Sequence, residues 1–307
     1  MKQAIITGAN GLVGYELTKF LLLKNIKLIC LGNKKFEETH LINTSLKKED
    51  YINLSMNKIN RLPDLFKKKN LNIENECIFY NFAWKGKTKL TDGSLSDQLE
   101  NAINSAEAVK AAKKVGCSKF INVGTIEESN AEFYLKKNYP KRNSQSQLFY
   151  TIAKLSSRDM CSITAYLEKI DYIHTRLSVP LDPTLKKGSY ISSTLKKILR
   201  SEEYIEPESN QLFDIVFLED VVRAYFLIGK KGFNKANYFI GTGRPLTLKQ
   251  YFDYFKKIIK KEYIFPKVKY KNQDLINFST NSLESDTGFK TQINFKDIKK
   301  YIISWKS

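Results

Sequence analysis

The stretch Lys2-Gln3-Ala4-Ile5-Ile6-Thr7-Gly8-Ala9-Asn10-Gly11-Leu12-Val13-Gly14 decides the fold of this 307-residue chain. An apolar strand runs into three glycines spaced three residues apart, and a helical pattern follows over Tyr15–Lys24. Gly8 permits a tight turn, Gly11 lets backbone approach a pyrophosphate, and Gly14 lets the helix pack closely on the strand. The unpaired N–H groups and positive dipole end of such a helix attract an anion. The turn therefore reads as a dinucleotide phosphate cradle, with Gly8, Asn10, Gly11, Leu12 and Gly14 as the positions expected to contact it.

Working outward, hydrophobic patterning predicts strands at Gln3–Thr7, Lys27–Leu31, Tyr51–Leu54, Cys77–Ala83, Lys119–Val123 and Tyr172–Leu177. They alternate with helices near residues 60–70, 96–115 and 147–169, the second stopped by Gly116. Such alternation is the mark of a parallel sheet covered on both faces. Beyond Pro180 it breaks into short helices at 192–200 and 246–261, with strands returning at 214–217 and 237–240. The expectation is an α/β protein: a Rossmann-type, doubly wound parallel sheet over residues 1–177, rejoined by 213–241, and a smaller discontinuous lobe within 178–307. The loop Trp84-Lys85-Gly86-Lys87 and the polar segment 127–147, with Pro140, read as irregular chain, the latter bordering a site.

The formal charge is +19, but the lysines are spread over the whole length. No basic stripe interleaved with aromatics marks a nucleic-acid face, so no nucleic-acid partner is expected; a positive surface does speed the arrival of anionic substrates. No apolar run reaches the roughly 18 residues of a membrane span, and the chain begins directly in a strand, so the expected location is the cytoplasm with no membrane partner. Cys30, Cys77, Cys117 and Cys161 lie far apart and read as small buried residues of a reducing compartment. His40 and His174 have no ligand-like spacing to an acid or cysteine, and no metal is expected. The aromatic stretch Tyr251–Phe265 has helical spacing suited to a core or a dimer surface.

Tyr150 and Lys154 are four residues apart, hence on one face of a helix. Tyr15/Lys19 and Tyr263/Lys267 share the spacing, but the first belongs to the helix after the glycine turn and the second encloses Pro266. Only Tyr150/Lys154 follows a strand ending in Val123-Gly124-Thr125. In open parallel sheets ligands bind beyond the strand carboxyl ends, so Thr125 and the glycine turn should share one crevice. An ammonium beside a phenol favours phenolate, which predicts a Tyr150 pKa lowered toward neutrality and an acid–base role. Thr125 is expected to hydrogen-bond the same reacting oxygen.

With these residues in view, the chain resembles the extended short-chain dehydrogenase/reductases of the nucleotide-sugar epimerase, dehydratase and reductase group. The resemblance is carried by Thr7–Gly14, Asn81-Phe82-Ala83, Asn101 with Ala111-Ala112 and Gly116, Thr125, Tyr150/Lys154, Glu219-Asp220-Val221 and Gly241-Thr242-Gly243. It implies an NAD(P)-binding domain, catalytic Thr125, Tyr150 and Lys154, and a C-terminal lobe for a nucleotide sugar. It also implies that Lys154 holds the nicotinamide ribose, that Ala83 lines the cofactor groove with Asn101 beside it, and that the helices near 96–115 and 147–169 form a homodimer. Two departures stand out: Ser178-Val179-Pro180-Leu181 replaces the usual Tyr-Gly-Pro, and Phe213-Asp214-Ile215 replaces Arg-Asp-Phe. Phosphate binding must then use other cations, with Lys196, Lys197, Arg200 and Arg244 as candidates.

An acid at the end of the second strand would bond the ribose hydroxyls of NAD, whereas this chain has Gly32-Asn33-Lys34-Lys35 there. Asn33 and Lys34 therefore point to NADP(H) over NAD(H), and NADP(H) points to net reduction. The leading expectation is NADPH-dependent reduction of a 4-keto nucleotide sugar in deoxysugar or surface-polysaccharide biosynthesis, with Tyr150 protonating the carbonyl oxygen. Thr125-Ile126-Glu127 resembles the Thr-x-Glu of 4,6-dehydratases, which keeps a redox-neutral dehydratase or 4-epimerase, with Glu127 as its base, as the alternative. A non-catalytic dinucleotide sensor is the third reading, and such a protein has no use for a Tyr/Lys pair.

Overall fold

Strand β1, Gln3–Thr7, is buried along its whole length, because a strand covered by helices on both faces needs apolar side chains in both directions. In the computed structural model, which describes residues 1–86, 94–136, 146–185, 189–208, 210–262 and 264–301, the glycine turn follows β1 and α1 covers Leu12–Leu23. Next come β2 (Lys27–Gly32), β3 (Tyr51–Asn53), α2 (Leu62–Lys68), β4 (Cys77–Asn81), α3 (Leu95–Val115) and β5 (Lys119–Thr125). Then follow α4 (Glu127–Lys136), α5 (Ser146–Glu168), β6 (Asp171–Leu177), β7 (Val179–Leu181), α6 (Tyr190–Leu199), β8 (Leu212–Phe213) and β9 (Ile215–Phe217). The chain ends with α7 (Leu218–Lys231), β10 (Asn237–Ile240), β11 (Leu246–Thr247), α8 (Leu248–Ile259), α9 (Asn272–Asn277) and α10 (Asn281–Thr287).

The central sheet is a seven-stranded Rossmann-type sheet in the order β10-β6-β5-β4-β1-β2-β3. Its registers from β3 through β2, β1 and β4 to β5 are parallel. Chain order runs one way from β1 to β3 and the other way from β4 onward, so the strand order reverses between β1 and β4, where open α/β sheets bind ligands. The chain divides into two units, residues 1–176 with 222–238, and residues 177–221 with 239–307. In the first, Ile5, Ile29, Phe79, Phe120 and Val109 centre the core between the sheet and α3. In the second, α6 and α8 pack Leu195, Phe252 and Phe255 against Ile215 and Phe217.

Most elements lie within a residue or two of their expected bounds, and the exceptions have physical causes. β4 stops at Asn81 because the Ala83 N–H turns to the Thr7 hydroxyl, 3.2 Å away, and leaves the ladder. β5 continues to Thr125. Residues 127–136 of the expected polar loop form α4, with residues 137–145 outside the described chain. Its inward positions include Glu128 and Ser129, so no apolar stripe announced a helix. In α8, Tyr251, Phe252, Tyr254, Phe255 and Ile258 are core residues, while Tyr263 of the Tyr263/Lys267 pair lies outside the described residues, as does Lys87 of the loop after β4. The four cysteines are free and buried. Among the described residues no helix is long and apolar enough to cross a membrane, and no cluster of metal-ligating side chains forms.

Candidate functional site

Gly8 has φ +65°, and a Cβ there would stand 2.8 Å from the Ala83 nitrogen, so only glycine fits between the ends of β1 and β4. A Cβ on Gly14 would collide with the Gly8 carbonyl oxygen, to which Gly11 donates its N–H at 2.8 Å. Gly11 starts α1 with no side-chain cap, and no acid occupies the first turn, so the helix N–H groups stay open to an anion. A nicotinamide dinucleotide fits this cradle: the backbone has room for its phosphates and the field has the right sign. Leu12 is the half-buried first residue of α1. Asn10 is already engaged, its Oδ1 accepting the His40 N–H at 2.7 Å and so tying residues 39–41 to the turn. Asn33, Lys34 and Lys35 are exposed beyond β2, where the Tyr51 hydroxyl pins the loop by donating to the Lys34 carbonyl at 2.8 Å.

A buried polar thread links this turn to the opposite side of the sheet. The Thr7 hydroxyl donates to Asn81 Oδ1 at 2.8 Å, Asn81 Nδ2 donates to Asn122 Oδ1 at 3.2 Å, and Asn122 Nδ2 donates to Ser157 Oγ at 3.4 Å. All four side chains are buried, so each bond keeps a polar group satisfied that would otherwise cost roughly 1–3 kcal/mol. The thread sets β1, β4, β5 and α5 in one side-chain register.

At its far end the structure brings Thr125, Tyr150 and Lys154 together. The Tyr150 phenol is hydrogen-bonded to the Thr125 side chain. Lys154 Nζ donates to the Val123 carbonyl at 2.9 Å and lies 5.9 Å from the centre of the Tyr150 ring. The set reaches the glycine turn through Trp84, one residue beyond the Ala83 backbone that Gly8 touches. The Lys154 ammonium sits 3.6 Å from the Trp84 ring centre, and the indole meets the Tyr150 ring edge-on at 6.1 Å. Trp84 donates from Nε1 to Gln98 at 2.9 Å, and Asn101 clamps the next residue by bonding both the N–H and the carbonyl of Lys85. The sequence reading gave Trp84 no part in the site; the available signal was a bulky aromatic directly after Asn81-Phe82-Ala83 at a strand end.

Burial pushes the Tyr150 phenol above its ordinary pKa, opposed by the Thr125 hydrogen bond and reinforced by the charges of Glu128 and Glu127. This corrects the expected lowering: the phenolate loses solvation on burial, and the Thr125 hydrogen bond offsets only part of that loss. The neighbouring ammonium is itself weakened, since burial brings Lys154 down to about 8, with the Glu128 charge acting the other way. Glu127 opens α4 half-buried, its N–H donating to Thr125 Oγ1 at 3.4 Å. Glu128, inside the segment expected to be irregular chain, is fully buried; its Oε2 meets His174 Nε2 at 2.7 Å and its Oε1 accepts the Thr125 N–H at 2.9 Å. Burial alone would raise the Glu128 carboxyl, but His174, the Thr125 amide and the Lys154 charge together hold it below its ordinary value.

In the second unit, the cations considered for phosphate do not converge on one element. Lys196, Lys197 and Arg200 share the end of α6, where Arg200 faces Glu202 at 3.7 Å, and the exposed Arg244 follows β10. Asp214, in the departing Phe213-Asp214-Ile215, is a buried anchor for the turn Gly241-Thr242-Gly243. It accepts the N–H groups of Thr242 and Gly243, each at 2.8 Å, and burial raises its carboxyl to about 6. Asp220 likewise holds the backbone of Gln292 and Ile293 at 3.0–3.1 Å.

Residues 4–241 match the pattern of the family described as NAD dependent epimerase/dehydratase. Over 88 residues, 28% of this chain, the sequence is 34% identical to the CDP-abequose synthase of Salmonella muenchen, and the match spans 30% of that protein's length. The fold is similar to that of the UDP-glucose 4-epimerase of Thermotoga maritima solved with UDP-glucose, at 20% identity and a TM-score of 0.71 over 99% of this chain and 98% of that one. It is similar as well to the UDP-glucose 4-epimerase of Thermus thermophilus solved with NAD, at 15% identity and a TM-score of 0.70, covering 99% of both chains.

Proposed function

The chain belongs to the NAD dependent epimerase/dehydratase family, and we propose that within it the protein is an NADPH-consuming reductase of a 4-keto nucleotide sugar. The observation that carries this reading is the Tyr150 phenol, held protonated by burial and hydrogen-bonded to Thr125. A reduction needs an acid at that point, whereas removal of a proton to begin an epimerisation or dehydration needs a base. The glycine turn before α1 would hold a reduced dinucleotide, whose chemistry would be hydride donation. Tyr150 gives its proton to the carbonyl oxygen as that oxygen becomes a hydroxyl, and the Thr125 hydroxyl steadies the charge developing there. Lys154, as an ammonium beside the ring, offsets the phenolate left behind. The similarity to the CDP-abequose synthase supports a nucleotide-sugar substrate over the 88 matched residues.

The NADPH preference is supported by the exposed Lys34 and Lys35 and by the absence of a carboxylate at residues 33–35. The first unit is the dinucleotide domain in this reading, and the second binds the nucleotide sugar. A second copy of the chain packs on the face formed by α3 and α5. These helices lie together and still expose Leu99, Ile103, Ile152, Ile163 and Leu167, an apolar surface of the kind that marks association.

The deciding experiment mixes the protein with NADPH and a panel of 4-keto-6-deoxy nucleotide sugars. Loss of reduced-cofactor absorbance with at least one is expected; no loss with any overturns the reductase. The second reading, a redox-neutral dehydratase or 4-epimerase, is favoured by Glu127 two residues beyond Thr125 at the start of α4. It gains the field if a nucleotide hexose is converted without added reductant.

A further inference from the structure

Glu128 and His174 form a buried hydrogen-bonded pair that no step above uses. They lie 46 residues apart, come from α4 and β6, and are 0% and 2% exposed. Enclosing two ionisable groups is costly unless each finds a partner, and here the Glu128 contacts lead back to the site while His174 Nδ1 turns to Tyr172. One carboxylate oxygen meets His174, and the other takes the backbone N–H of Thr125, whose hydroxyl bonds Tyr150. Gly124 makes the room: a Cβ there would collide with Glu128 Oε1 and His174 Nε2. A glycine within a strand weakens it, and this one, next to last in β5, stands where the pair meets the backbone.

Several titratable groups surround Glu128 and Lys154, and Arg176 is among those that feel the Glu128 charge. Lys154 is faced on its own helix by Tyr150 and by Cys161, whose thiol burial lifts to about 12 and so keeps neutral. From β5 it meets the Val123 carbonyl, from the loop after β4 the Trp84 ring, and from α4 the field of Glu128. On β6, Tyr172 touches His174 Nδ1 at 3.3 Å, and Arg176 is bonded to Ser129. Arg158 of α5 is occupied by Glu132 and Asp159.

We propose that the Glu128–His174 pair is a positioning element of the site: through the Thr125 amide it fixes the hydroxyl that meets Tyr150, and across Gly124 its carboxylate braces the strand end whose Val123 carbonyl holds Lys154. The inference rests on the Thr125/Tyr150/Lys154 reading, yet it can be tested without turnover. The chain has two tryptophans, so in a Trp305→Phe background emission comes from Trp84, on whose ring the Lys154 ammonium lies. Deprotonation of Lys154 removes that cation and changes the emission. A fluorescence titration should show a midpoint near pH 8 that vanishes in Lys154→Met. Glu128→Gln should move it down by about one unit, and Glu128→Asp, which keeps the charge, should move it less. Should Glu128→Gln fail to fold, Gly124→Ala, which displaces the pair, reads the same downward shift. An unmoved midpoint in a folded Glu128→Gln or Gly124→Ala protein overturns the proposal.

In the active enzyme, the alkaline limb of kcat/KM should move with the same midpoint, whereas a purely structural role would lower the rate at every pH and leave the limb in place. If the unaltered protein reduces no keto sugar, the proposed function fails, and the fluorescence titration still decides the role of the pair.

Discussion

Tyr150 and Lys154 carry the sharpest consequences at the scale of single residues. Tyr150→Phe removes the only proton the phenol can give while keeping the ring that Trp84 contacts. We expect kcat to fall about 100- to 10,000-fold, with cofactor affinity changed little; single-turnover and binding measurements separate the two. The pH dependence follows from Lys154: the ammonium exists below a pKa of about 8 and is lost above it, so activity should hold on the acid side and decline as pH rises through that value. A kcat/KM profile from pH 6 to 10 checks the sign. Lys34→Ala should raise the KM for NADPH about tenfold, the worth of one charge-assisted hydrogen bond, and leave that for NADH unchanged. The Tyr/Lys pair was legible because a spacing of four on a helix is a local property. The pairing of Glu128 with His174 was not, because no local rule joins residues 46 positions apart on different elements. The direction of the Tyr150 shift was misread for a related reason: sequence shows which charges are near in number, and burial decides how strongly they are felt.

At the scale of the element, the turn between β1 and α1 combines two backbone approaches that a methyl group would close, at Gly8 and at Gly14. Gly8→Ala places a side chain at φ +65° and against the Ala83 backbone. It should cost about 1–2 kcal/mol from the left-handed conformation alone, more with the contact, and cofactor binding should be lost. Denaturant unfolding and a cofactor titration measure the two effects. This element was fully legible, since glycine is the residue that backbone sterics demand and its spacing survives in the sequence. Helix α4 was hidden by the chemistry it serves: an inward face that carries Glu128 and Ser129 has no apolar period to detect.

For the whole molecule, alternating strands and helices were enough to give the parallel sheet, while the place where the strand order reverses, between β1 and β4, came from the fold. The second unit, built from two- and three-residue strands such as Leu212–Phe213 and Ile215–Phe217, left little period to read. The apolar face of α3 and α5 leads to a prediction at this scale. Ile163→Glu, on a side chain 63% exposed, should convert a dimer to monomers with the fold intact, as sedimentation velocity and circular dichroism would register. The line Thr7, Asn81, Asn122, Ser157 has a consequence for how such a protein can drift. Each member satisfies a polar group of its neighbour away from water, so a lone apolar replacement strands a donor or an acceptor, and a matched exchange of two adjacent members strands fewer. Descendants of this chain should therefore alter these positions in concert, and laboratory selection that frees one of them should recover a compensating change in the next.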